Sequence, residues 1–97
     1  MQTVIKNDAR AHIFIEGKVQ GVGFRNFIQR KAQTMDVRGW VKNLSDGRVE
    51  AVFEGEKMDI DQMIEACMEG PPAANIHNLE EDWEESAADI EGFDIKL

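Results

Sequence analysis

The stretch VRGWVKNLSDGRVEAVFE, residues 37–54, decides the fold. Residues 37–43 are strand-like, residues 44–47 (LSDG) are a turn sequence, and residues 48–54 alternate, with Val49, Ala51 and Phe53 on one face. The two halves read as a hairpin. On either side the period changes from two to that of a helix. Before it, Phe24, Phe27, Ile28, Ala32 and Met35 recur at helical spacing, with Arg30, Lys31 and Gln33 outside. After it, Ile60, Met63, Ile64, Cys67 and Met68 form the apolar stripe of a helix over 57–69, ended by Gly70, Pro71 and Pro72. Further out, residues 11–17 (AHIFIEG) alternate as a first strand, with Ala11, Ile13 and Ile15 on one face and His12, Phe14 and Glu16 on the other. Residues 76–85 read as a fourth strand, and FDIKL closes the chain as a short fifth. The order βαββαβ plus a terminal strand predicts an α+β domain. Its antiparallel sheet carries both helices on one face, with right-handed crossovers.

Ninety-seven residues fit one domain with one core, expected over residues 9–97, behind a flexible N-terminal extension at residues 1–8. The composition, 42% apolar and 31% charged, is that of a soluble globular protein. No apolar run is long enough to cross a membrane, and MQTVIKNDAR does not read as a signal segment. The single cysteine, Cys67, cannot form an internal disulfide, which fits a reducing, cytoplasmic setting. Eleven basic against nineteen acidic residues leave a net charge of −8, without the basic surplus that nucleic-acid binding requires. A local site for an anionic small molecule remains open on an acidic protein. The acidic run EEDWEES, residues 80–86, reads as a solvated edge strand.

The loop VQGVGFR, residues 19–25, joins the first strand to the first helix. A helix N-terminus offers unpaired backbone N–H groups and a positive dipole end. Gly21 and Gly23 permit positive φ, so that the amides from Gln20 through Val22 and Phe24 to Arg25 can form an anion nest. Arg25 falls in the first helical turn, where the helix itself would favour a carboxylate; its planar fork suits a phosphate or carboxylate instead. The run lacks both the Walker A pattern and the dinucleotide fingerprint. On these residues alone, a plain tight turn and an anion nest fit equally.

Asn43 ends the second strand, which a split βαβ sheet can bring near the mouth of that loop. Its carboxamide both donates and accepts, and could hold a water against a bound phosphate. Taken alone, it reads first as a residue shaping the turn. His12 and His77 lack a third ligand at metal-binding spacing, so no metal is expected. Cys67 and the methionines read as packing, and Trp40 and Trp83 as structural strand residues. Phe14, on the face away from the helices, is a candidate for a dimer contact or for packing on Trp83.

Together the two glycine-containing stretches resemble the acylphosphatase family. The family's first signature reads aliphatic-x-Gly-x-Val-Gln-Gly-Val-x-Phe-Arg, which IEGKVQGVGFR meets from Ile15 to Arg25. Its second reads Gly-aromatic-Val-Lys-Asn, three residues, Gly-x-Val, five residues, Gly, which Gly39 to Gly55 meets. Asn26 departs from the bulkier residue that relatives often carry there. The resemblance implies a ferredoxin-like α/β sandwich and a metal-independent, cofactor-free hydrolase of small-molecule acyl phosphates. It also implies that Arg25 and the 20–25 amides hold the phosphoryl group while Asn43 positions the attacking water. A monomer is expected, with a dimer as the alternative. A rival reading keeps the anion site as a carbamoyl-phosphate module, as in the related domain of hydrogenase-maturation proteins. Its mark is a fused zinc-finger and transferase region, which these residues do not contain. Single-stranded RNA readers share the element order, but their basic face and exposed aromatic motif are not expected here.

Overall fold

A computed structural model describes residues 8–87 and 89–97. The expected extension at 1–8 lies outside the described residues except for Asp8, which opens β1 and accepts a 2.8 Å hydrogen bond from Arg38. The elements are β1 (Asp8–Lys18), α1 (Phe24–Thr34), β2 (Arg38–Asn43), β3 (Val49–Glu56), α2 (Lys57–Glu69), β4 (Asn75–Glu85) and β5 (Phe93–Lys96). The strands lie in the order β4-β1-β3-β2-β5. β3 pairs antiparallel with both β1 and β2, and β4 pairs antiparallel with β1. Both helices pack on one face of this sheet and touch each other. The architecture is therefore the expected ferredoxin-like α+β sandwich.

One strand changes the character of the sheet. β5 pairs parallel with β2, so the sheet is mixed rather than wholly antiparallel. Strand directions account for this. β4 runs opposite to β1, and β1 and β2 both run opposite to β3, so the chain leaving β4 reverses and enters the free edge of β2 in the same direction as β2. Phe93 anchors it: the ring is buried 6.0 Å from Phe53, and its carbonyl accepts a hydrogen bond from Gln29 of α1.

The core follows the period-two and helical faces read in the sequence. Ala11, Ile13 and Ile15 of β1 are fully buried, as are Val49, Ala51 and Phe53 of β3. Cross-strand pairing puts them in rows, Ile13 opposite Ala51 and Ile15 opposite Val49. Each large apolar side chain so buried contributes about 1.5–3 kcal/mol. Phe24, Ile28 and Ala32 of α1 and Ile60, Met63, Ile64 and Cys67 of α2 fill the layer above. Met68 departs from its expected place on the stripe and is exposed. At about 100° per residue it sits a quarter-turn from the stripe's centre, at the helix rim. β4 is the acidic edge strand, with Glu80, Glu81, Asp82, Glu84 and Glu85 all exposed, which discourages strand addition.

Burial pushes the Cys67 thiol up to about 12. At pH 8 that leaves roughly one thiol in ten thousand ionised. A disulfide reagent should therefore leave the native protein unlabelled over an hour and label it fully after denaturation. Rapid native labelling would contradict the burial.

Candidate functional site

The direction of the strands brings the two glycine-containing stretches together. β1 and β2 run the same way on either side of β3, so their C-terminal ends share one end of the sheet. The row Ile15–Val49–Asn43 crosses all three strands on the helix face. Asn43 thus points into the helical layer where β1 gives way to the loop and α1 begins. Gly21 and Gly23 hold φ of 75° and 76°, the left-handed region open to glycine at low cost. A Cβ at either would meet nothing within 4 Å, so the backbone angle rather than space demands glycine there. Gly23 is the N-cap of α1. Among the described residues, the backbone amides from Gln20 to Arg25 donate no hydrogen bond.

A cavity of about 270 Å³ opens at this junction. Arg25 and Asn43 face it together with Gly21, Gly23 and Phe24. No acidic residue stands in the first turn of α1, and Arg25, like the exposed Arg30, enters none of the ion pairs among the described residues, whereas Arg10, Arg38 and Arg48 are paired. Asn43 is the complementary feature. Its Oδ1 is buried and has no hydrogen-bond partner among the described residues. A buried carbonyl without a protein partner is open to a water or a ligand. Nor does the Asn43 side chain shape the turn. The turn is closed by Leu44 N–H donating to Arg48 O at 2.8 Å, Gly47 N–H to Leu44 O at 3.2 Å, and Arg48 N–H to Asp46 Oδ1 at 3.1 Å. That amide bond, and then a 2.8 Å bond from Arg48 Nε to Asp46 Oδ2, hold the Asp46 carboxyl below its usual range.

The sequence matches the acylphosphatase family model over residues 11–95. The chain belongs to the acylphosphatase family of hydrolases. An acylphosphatase of Haloarcula marismortui is 46% identical over 87 residues, covering 90% of this chain and 94% of its own. The crystal structure of the Bacillus subtilis acylphosphatase superposes with a TM-score of 0.89 at 35% identity, over 92% of this chain and 99% of that one. A full-length HypF crystallised in a phosphate- and nucleotide-bound form contains a similar unit, TM-score 0.85 at 28% identity, which spans only 13% of that protein.

Within this acylphosphatase fold, five of the seven residues singled out in the sequence line the cavity. Gln20 and Val22 do not: Val22 packs against the core, and the Gln20 side chain bonds to the hairpin. Three wall residues were not singled out as site residues: Val19, Asn26 and Ile95. Asn26 follows Arg25 by one position and was legible as a departure from the family pattern. Ile95 was not, because nothing local to FDIKL says which strand it joins.

The remaining candidates fall outside the cavity. His12 pairs in register with Asp82, five positions along β4 from His77, or about 16 Å at the strand rise, and its Nε2 meets Glu50 Oε2. Among the described residues no group of three potential metal ligands converges. Phe14 does not pack on Trp83, which lies on the opposite, helix-bearing face in register with Ala11. Instead Phe14 stacks on His12 and lies under the Arg48 guanidinium, 5.0 Å from its ring centre. Among the described residues no helix is long and apolar enough to cross a membrane.

Proposed function

We propose that the chain hydrolyses the carboxyl–phosphate anhydride of small acyl phosphates, releasing a carboxylate and phosphate. In this reading Arg25 and the amides of residues 20–25 hold the phosphoryl oxygens, and Asn43 orients the attacking water. The observation that carries it is the buried, unpartnered Oδ1 of Asn43, sharing one cavity with an arginine that has no carboxylate partner among the described residues. An acceptor and a cation held apart in one cleft suit a water and an anion respectively.

The chemistry asks for little else. Phosphoryl transfer depends mainly on positioning and on stabilising charge at the transferred oxygens. The water oxygen attacks phosphorus as the bond to the acyl oxygen breaks. The departing carboxylate is a weak base and needs no proton from the protein. The phosphoryl group can itself take up the proton of the attacking water, so the reaction is proposed to run without a metal or cofactor. The same reading makes the protein a cytoplasmic monomer. It is supported by the single buried cysteine and by exposed large apolar side chains that are scattered at Met58, Met68 and Leu97.

The test is phosphate release from a small aromatic acyl phosphate in the presence of a strong chelator. Turnover at the uncatalysed rate, with inorganic phosphate still binding, would favour the rival phosphate-module reading and overturn the hydrolytic one. That rival draws on the HypF likeness; the near-complete coverage of small acylphosphatases favours the enzyme.

A further inference from the structure

The Gln20 side chain turns from its own loop toward the hairpin. Its Nε2 donates to Leu44 O at 2.8 Å and to Arg48 O at 2.9 Å. Those two carbonyls bracket the turn that follows Asn43. Each already accepts one backbone hydrogen bond, Arg48 O from Leu44 N–H and Leu44 O from Gly47 N–H. A carbonyl has two lone pairs and a carboxamide nitrogen two protons. One side chain therefore fills the second acceptor site at both ends of the turn. Among the described residues no other hydrogen bond joins the loop 19–25 to residues 43–48.

We infer that Gln20 is a positioning residue whose carboxamide fixes Asn43 relative to the loop that carries Arg25. This inference rests on the reading of the site given above. Loop and hairpin lie 24 and 28 residues apart in sequence at these bonds, so nothing local holds their separation. Reaction rate is far more sensitive to such a separation than stability is: a misplacement of about 1 Å costs about a hundredfold.

The experiment is a double-mutant cycle with Gln20→Met and Asn43→Ala. Methionine keeps the length of the side chain and removes the donor. Gln20→Met should lower kcat about thirtyfold while leaving KM and the inhibition constant of inorganic phosphate within about threefold. In the Asn43→Ala background the same change should cost less than about threefold, because the group it positions is gone. Equal losses in both backgrounds would overturn the inference, as would an unchanged kcat. A rise in the phosphate constant matching the loss of kcat would also overturn it, since Gln20 would then be touching the anion. A readout independent of turnover separates this inference from the reading beneath it. In Gln20→Met the Leu44 and Gly47 amides should exchange with solvent at least tenfold faster and the Asn43 carboxamide resonances should move. Unchanged exchange and resonances sink the strut whether or not the wild-type chain hydrolyses acyl phosphates.

Discussion

Arg25→Gln should lower kcat/KM for a small aromatic acyl phosphate about a thousandfold or more, and weaken inhibition by inorganic phosphate at least about tenfold. The two numbers differ because the arginine serves two states. In the ground state it is one of several donors around the phosphate, alongside the loop amides. In the transition state the transferred oxygens carry redistributed charge, and a fixed planar cation beside them is worth more. A thousandfold corresponds to about 4 kcal/mol of transition-state stabilisation. Glutamine keeps a donor and loses the charge, so the variant isolates the electrostatic part. Stability should hardly change: Arg25 is partly exposed and makes no ion pair among the described residues. Its removal relieves a positive charge at the positive end of the α1 dipole, which is worth a few tenths of a kcal/mol in favour of folding. A melting temperature at or slightly above that of the wild type, with activity lost, is the expected signature. Turnover within about tenfold of the wild type would exclude Arg25 from the chemistry.

How much of this was legible beforehand depends on range. The helix-facing sides of β1 and β3 were visible because Ile13, Ile15, Val49, Ala51 and Phe53 occupy every second position; the burial of Val52 and Glu54 on the other face of β3, the central strand, left no such trace. The loop at residues 19–25 could be placed because it sits between a period of two and a period of 3.6, where only a strand–helix junction fits. The fate of β5 was not legible. Its pairing with β2 is fixed by which edge is free and by the direction in which the chain leaves β4, and neither is encoded within four residues. Ile95 therefore joined the wall of the cavity unannounced. Gln20 was a different kind of miss. It was read for its backbone amide, as part of a nest, whereas its side chain reaches across to the hairpin. Side-chain partners more than twenty residues away leave no periodic trace in a single sequence. Phe14 and Trp83 show the converse: the alternation of β1 is plain, but register decides which face of β4 meets it, and register puts the two aromatic residues on opposite faces.

Asn43→Ala distinguishes a residue kept for structure from one kept for reaction. The expected result is a fall in kcat of about a hundredfold to a thousandfold, with KM and phosphate inhibition within about threefold of the wild type. The split follows from what the carboxamide is proposed to hold. A water is not part of the bound phosphate, so losing its orientation leaves ground-state affinity intact. In-line attack needs the oxygen fixed behind phosphorus, and that need arises only as the new bond forms. Stability should hardly change. Asn43 Oδ1 is buried without a partner among the described residues, and the turn is closed by bonds to which the Asn43 side chain contributes none. Alanine therefore gives up no hydrogen bond to the described residues and only a small amount of packing. The variant should melt close to the wild-type temperature. A marked loss of stability with kcat preserved would restore the turn-shaping role and end the water-positioning one. Loss of kcat in a protein that is as stable as before would mean that the carboxamide is kept for the reaction and not for folding.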